Sequence, residues 1–457
     1  MHRTNSDARG PASRAVRALL ATCVALLALL STTLLPAAAS GEPLSPTPAT
    51  AATYGATWLA AKAAASTPLK GFDGTSDDWG LTLDAGLALA SSGVGGTAAE
   101  NIWTAFVANR EAAIVTGTDN PGRLGRAVML AVALGKDPRN VGAAPGNDLV
   151  ARIEGTRTTS GPDTGLYGSS DPTYDGVFRQ SYALMALKAA GVVPDNASAG
   201  WLLQQQCADG SWMPYRSNLT VPCAFDGALY VGPDTNSTSA AVQAVRVLDD
   251  RPALLSTALA WLDARQNSDG GWGFYPGDPT DPNSTALVVQ ALVAAGKLAD
   301  PAFNDKSATP QAALLAFQLT CAQPAADRGA LTYPGSSNAA NSFATAQGVP
   351  ALAGRAFPLS RQTLTASVPA VPCDVPATTT SSTTSTTSST VLPGTTATTS
   401  PCVDCATAPA PTVLGVEQTA GTGALASTGS NSVGLALAGA SLLFVGVGVS
   451  VLAARRR

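Results

Sequence analysis

Two segments of this 457-residue chain match each other without a gap: Trp201-Leu-Leu-Gln-Gln-Gln206-Cys-Ala-Asp-Gly210-Ser-Trp212 and Trp261-Leu-Asp-Ala-Arg-Gln266-Asn-Ser-Asp-Gly270-Gly-Trp272. Both obey W-L-x3-Q-x3-G-x-W. Looser copies run around Trp58, Trp103, Leu149 and Leu314; in the last, Gln318 and Gly329 keep parts of the pattern and the terminal Trp reads as Tyr333. Each copy is an apolar helix, a Gly-rich turn with an aromatic, and a second, Ala-rich helix. The second helices begin near Leu81, Arg123, Val177, Ser237, Ser284 and Ser342. A period of roughly 40 to 60 residues belongs to helix-pair arrays, and six pairs can close on themselves, hiding the apolar ends that an open array must cap.

The paired motifs resemble the QW repeat of squalene cyclases and the related prenyltransferase β-subunits. The resemblance implies an all-α fold, an α6/α6 toroid of six helix pairs over residues 53–375. Periodicity assigns the two rings: STALVVQALVAAG is apolar nearly all round, as a helix covered on both sides must be, whereas TALAWLDARQ carries one polar face. The second helices are therefore the inner ring. In Asp234-Thr-Asn236-Ser237-Thr238 and Asp281-Pro-Asn283-Ser284-Thr285, short oxygen-bearing side chains stand where the first helical N–H groups need acceptors.

Inner-ring N-termini all point to one mouth, so residues there are candidates to line a ligand pocket. They are Trp79, Tyr167, Asp175, Asp234 and Asn236, together with Tyr275, Asp278, Asp281, Asn283 and Tyr333. Trp201, Gln206, Gly210 and Trp212, with Trp261, Gln266, Gly270 and Trp272, read as structural repeat positions.

The resemblance also invites cyclase chemistry, in which a D-x-D-D-T-A run supplies the starting proton. The corresponding run is Asp281-Pro282-Asn283-Ser284-Thr285-Ala286, and an amide and a hydroxyl cannot protonate an alkene. Full cyclases hold two toroids, and this chain has one. Prenyl transfer uses a zinc held by Asp, Cys and His, yet the sole histidine is His2, inside the segment that reads as an export signal. Its absence from the mature chain removes Ser-His-Asp and Cys-His catalysis too. No metal set, cofactor or catalytic residue is assigned. Asp175, Asp234, Asp278 and Asp281 could still pair as acid and base in a carbohydrate enzyme. A Gly-Cys-x-Glu-Gln thioester run is missing. The toroid of transcobalamin and intrinsic factor is also similar, through PGRLGRAVMLAVALGKDPRN and DPTYDGVFRQSYALMALKAAG, although a stalk stands where those carriers have a second domain. The leading expectation is a non-catalytic binder of a small apolar or corrinoid-like molecule or of an envelope glycan. The alternatives are a cyclase-like or carboxylate-based enzyme and an adhesion spacer.

The two ends give an address. Residues 1–40 read as a signal peptide and 41–52 as a linker. Residues 376–424 are a Thr/Ser/Pro-rich stalk, too poor in apolar surface to offset the entropy of ordering it. Leu425-Ala426-Ser427-Thr428-Gly429 resembles the LAxTG sorting signals of actinobacterial wall proteins, followed by an apolar span at 433–454 and Arg455, Arg456 and Arg457. That resemblance implies export, a class E-type sortase and peptidoglycan as partners, cleavage between Thr428 and Gly429, and a single-pass membrane helix. In an oxidising compartment Cys207 with Cys223, Cys321 with Cys373, and Cys402 with Cys405 are the nearest-neighbour disulfide pairings. A formal charge of −4 offers no basic stripe, so nucleic acid is not an expected partner.

Overall fold

The computed structural model describes residues 46–373, apart from 143–145, 170, 249–250 and 336–338. The signal peptide, stalk, sorting motif, apolar span and Cys402–Cys405 pair lie outside the described residues. Among those described the fold is all-α, with thirteen α-helices and a β pair of two residues per strand, Val115–Thr116 with Thr118–Asp119. No described helix is long and apolar enough to cross a membrane.

Six helices, α2 (Trp79–Ser92), α5 (Pro121–Ala133), α7 (Gly176–Ala189), α9 (Thr235–Leu248), α11 (Pro282–Ala294) and α13 (Ser342–Leu352), pack each on the next, and α13 packs back on α2. This closed inner ring is buried on nearly every face. Outside it, α1 (Pro48–Ala65) covers α13 and α2. Next come α3 (Gly96–Ala108) with the short α4 (Arg110–Ile114) against α2, and α6 (Leu149–Gly155) against α5. Then α8 (Asn196–Gln204) lies on α7, α10 (Pro252–Asp263) on α9, and α12 (Pro310–Leu315) on α11. In α10 only Leu255, Ala258, Trp261 and Leu262 are buried, the single apolar stripe its periodicity predicts.

The inner helices start alike. Asp78, Asn120, Asp234, Asp281 and Asn341 each accept a bond from the N–H three residues on, satisfying a donor the helix itself leaves open. In four of them the next-turn threonine then takes the turn from the preceding outer helix. Thr238 Oγ1 accepts from Trp212 N (2.9 Å), Thr285 from Trp272 N, Thr345 from Leu331 N and Thr82 from Leu69 N. Leu331 thus occupies the place of the repeat's terminal Trp, and the reading of Tyr333 there is corrected: Gln318 bridges Leu331 as Gln206 bridges Trp212. Any apolar side chain can fill that slot, because its N–H makes the bond, so the Trp pattern misses it.

The repeat glutamine is an inter-repeat clamp. Gln206 Nε2 donates to Gly210 O (3.0 Å) within its turn and to Leu254 O (3.2 Å) in the first turn of the next outer helix. Gln266 donates to Gly270 O and to Phe303 O in the 3-10 helix Pro301–Asn304 that precedes α12, and Gln318 to Gly329 O and to Ala51 O in the first turn of α1. The last of these joins the final repeat to the first. The glycine lets the next outer segment approach: at Gly270, with φ +87°, a Cβ would stand 2.1 Å from the Ala308 carbonyl oxygen. The leading tryptophans close the contact, Trp261 Nε1 to Asp209 and Trp201 Nε1 to Asp163, both 3.1 Å. Trp212 and Trp272 are fully buried, their indole N–H groups on Leu202 O and Leu262 O.

Beyond α13 the chain crosses the far end of the ring as a strap. Phe357 N donates to Gln243 Oε1 (3.1 Å) and its ring meets Tyr182; Gln362 N reaches Ala133 O; 365–367 pair with the backbone at 93–97. Thr57 Oγ1 donates to Pro369 O, and Cys373 is bonded to Cys321. A second disulfide joins Cys207 to Cys223.

Candidate binding site at the N-terminal mouth

The strap occupies the end of the ring where the inner helices finish, so the other end, where they begin, is the mouth. Counting from the residue that meets the turn (Thr82, Thr238, Thr285 and Thr345, with Leu124 in α5 and Gln180 in α7), the positions two before and two after lie one turn apart on the face toward the ring's centre. The first layer is Gly80, Gly122, Phe178, Asn236, Asn283 and Phe343. The second is Asp84, Arg126, Tyr182, Ala240, Leu287 and Gln347. Contacts between neighbouring inner helices agree with this register. Arg126 Nε donates to Asp84 Oδ1 (2.7 Å) and its guanidinium lies 4.4 Å from the Tyr182 ring. On the other side Asn283 Nδ2 donates to Gln347 Oε1 (2.7 Å) and Gln290 Nε2 to Gln347 O (3.1 Å). These interior residues, Asp84, Arg126, Phe178, Tyr182, Phe343 and Gln347, escaped the sequence reading. The signal for them was their fixed offset from a threonine.

Seven of the ten pocket candidates gather at the α9–α11 sector. Asp234 is wholly buried; its Oδ1 accepts from Ser237 N (2.6 Å), while Oδ2 has no hydrogen-bond partner. Burial pushes this carboxyl up to about 7, against the pull of its bonds from Ser237 and Asn236. Asp281, capping α11 through Ser284 N, is pushed up to about 6, again chiefly by burial. Asn236 Oδ1 and Asn283 Oδ1 are also buried without partners. Thr235 N donates to Phe274 O, which ties the head of α9 to the turn carrying Tyr275 and Asp278. Asp278 Oδ2 accepts from Tyr275 N, and the Tyr275 hydroxyl donates to Tyr230 O (2.7 Å). Burial, with Asp234 as the next cause, holds the Tyr275 hydroxyl above its usual range; for Tyr333 burial is joined by Asp281 and Asp278.

The other three candidates stand apart. Trp79 is the first residue of α2 and packs in the core. Tyr167 is fully buried, its N–H on Gln180 Oε1 (2.8 Å), and so holds the structural place of Trp212 in its own repeat; burial pushes its hydroxyl up to about 12. Asp175 makes no cap bond and pairs with Arg179 (3.6 Å); burial raises its carboxyl, with Arg179 opposing.

Beside the mouth, the loop 216–233 is stapled by Cys207–Cys223 and exposes Phe225 and Tyr230, whose rings lie 5.0 and 5.5 Å from that of Tyr275. Two surface depressions, of about 400 and 510 Å³, lie on the outer face around Leu259 and Arg152, and none of the candidate residues lines either. No group of three or more His, Cys, Asp or Glu side chains suited to a metal ion occurs among the described residues.

No protein-family model matches the sequence. A stretch of 117 residues, 23% of this chain, is 34% identical to the squalene–hopene cyclase of Alicyclobacillus acidocaldarius and covers 18% of that enzyme. The likeness is distant and partial, spanning less than a fifth of the cyclase. Among solved structures, the crystal structure of a protein from Actinoplanes aligns with 67% of this chain and 99% of its own, at 16% identity and a TM-score of 0.44.

Proposed function

We propose that this chain is an exported, surface-held α6/α6 toroid whose mouth, at the heads of α9 and α11, binds a polar envelope glycan without transforming it. The observation that supports this is the chemistry of the ring's interior near the mouth. The carboxamides of Asn236 and Asn283 stand beside the capping carboxylates of Asp234 and Asp281, and Asp234 Oδ2, Asn236 Oδ1, Asn283 Oδ1 and Gln290 Oε1 are buried oxygens still lacking donors. A hydroxyl-rich ligand supplies donors. A hydrocarbon or corrinoid face would leave each oxygen unpaired at a cost of about 1–3 kcal/mol. The half-buried Tyr275 and Tyr333 with the exposed Phe225 and Tyr230 provide ring faces and edges against which sugar C–H groups pack.

Calorimetric titration of the full chain with wall polysaccharide fragments tests the proposal. Saturable binding is expected, falling at least tenfold in Asn283→Ala; absence of heat with every fragment overturns it. A carbohydrate-cleaving role is a second reading, favoured by the burial of Asp234, which pushes its carboxyl up to about 7, toward the range in which a general acid works. New reducing ends during incubation, lost in Asp234→Asn, would support that reading over binding alone.

A further inference from the structure

The charges around the mouth are unevenly matched. On the α2, α5 and α7 side, Arg126 pairs with Asp84 and Arg179 with Asp175, and Arg123 lies close enough to Asp78 to feel its charge. On the α9 and α11 side stand Asp234, Asp278 and Asp281, and no lysine or arginine acts on the two buried ones. The elements packed around them supply nothing to balance these acids. α13 and α12 contain no ionisable residue. Tyr275 and Tyr333 are held protonated, Arg179 at the head of α7 is already paired, and Arg265 at the end of α10 lies over the outer face of Trp261.

Of the unpaired buried atoms in the same sector, Asp234 Oδ2, Asn236 Oδ1, Asn283 Oδ1 and Gln290 Oε1 are acceptors, and Ser239 Oγ can accept or donate. The bond from the Gln290 amide nitrogen to the Gln347 carbonyl fixes the orientation of the amide and leaves Oε1 as its unpartnered atom. A buried carboxylate with neither counter-charge nor full hydrogen bonding is costly, and the cost falls when a cation arrives. Neutral hydroxyls can satisfy the acceptors but leave the charge uncompensated. An ammonium group does both.

Building on the glycan reading, we infer that the mouth selects an amine-bearing, cationic sugar over its acetylated or hydroxyl counterpart, the ammonium being held by Asp234 with the amide oxygens of Asn236 and Asn283. Binding then displaces the protons that Asp234 and Asp281 hold at mildly acidic pH, so affinity and proton release are linked. Asp234→Asn is the variant of choice: asparagine caps α5 and α13 of this same ring through Asn120 and Asn341, so the cap and the fold survive while the charge goes.

Glucosamine oligomers and N-acetylglucosamine oligomers of equal length, titrated at pH 7 into the full chain, separate the possibilities. The expected result is at least tenfold tighter binding of the amine form, accompanied by proton release measured in buffers of different ionisation enthalpy. In Asp234→Asn, of unchanged circular dichroism, the preference falls to within about threefold. Should that variant not fold, Asn283→Ala serves, and the amine form is expected to lose more affinity than the acetylated form. Equal or tighter binding of the acetylated oligomer sinks the cationic inference and leaves the glycan reading standing. Binding of neither, when neutral wall polysaccharide binds, also sinks it, and if no glycan binds at all the two fall together.

Discussion

Asp234 and Arg126 show how single residues set the electrostatics of this ring. Asp234 is held at about 7 in the folded chain against an ordinary aspartate value near 4, so the folded state binds more protons than the unfolded one between those limits. A raised carboxyl therefore favours folding below about pH 4, and the advantage is lost as pH rises toward 7. Asp281, at about 6, adds in the same direction. The melting temperature of the free protein is expected to fall from pH 5 to pH 8, by a change in stability on the order of 2–4 kcal/mol, and Asp234→Asn should flatten the profile. A flat wild-type profile would refute this account of the mouth. Arg126 behaves differently because it is buried with Asp84, itself only 13% exposed, 2.7 Å away. Removing only the guanidinium in Arg126→Met strands the carboxylate and should cost about 3–5 kcal/mol in urea unfolding. Adding Asp84→Leu should recover most of that loss, because the pair's own attraction roughly offsets its desolvation.

At the scale of elements, the fold's repeated unit is held by the glutamine clamp, and most of it is readable in the sequence. The two intact motifs give the clamp its residues, the Asp-x-Asn-Ser-Thr runs give the inner caps, and apolar periodicity distinguishes α11 from α10. The third repeat shows where reading stops. Arg157 bridges Tyr167 as Gln206 bridges Trp212, so an arginine stands in the glutamine's place. The missing amide is supplied from the inner helix: Gln180 Nε2 donates to Gly165 O (3.1 Å) and Ser198 O (2.9 Å), while its Oε1 takes the Tyr167 N–H that a threonine takes elsewhere. One side chain makes the bonds of two, which no linear motif expresses because the donors come from opposite ends of the helix pair. The interior of the mouth was hidden for a related reason: Asp84 and Arg126 are recognisable only once the threonine register is known. Gln180→Thr should lower stability by about 1–3 kcal/mol, since Gly165 O and Ser198 O lose their donor. The double variant Arg157→Gln with Gln180→Thr should regain part of the loss by rebuilding the ordinary clamp. Thermal melts of the three proteins measure it, and a double variant no better than the single would show that the two clamps are not equivalent.

For the molecule as a whole, closure has two independent parts. The repeat clamp runs through the seam, Gln318 to Ala51 and Trp58 Nε1 to Ala326 O, so the last and first repeats join as any neighbours do. The strap adds a second closure at the blind end, touching α9, α5, the α2–α3 link and α1 in turn before Cys373 returns to Cys321. Its buried anchors are few, chiefly Phe357 and Leu359, so its hold depends on the covalent end. By loop-closure entropy, a bridge spanning 52 residues is worth about 4 kcal/mol and one spanning 16 about 3. The two bridges should nevertheless differ in what their loss exposes. In Cys321→Ser with Cys373→Ser, amide hydrogens of 362–369 should exchange far faster than in the parent, while the ring helices and the mouth stay protected, because the seam clamp does not involve the strap. In Cys207→Ser with Cys223→Ser the fast exchange should be confined to 216–233 and ligand binding should weaken, since that loop flanks Tyr275. Faster exchange throughout the inner helices on loss of the Cys321–Cys373 bridge would mean that the strap, and not the glutamine clamp, holds the ring shut.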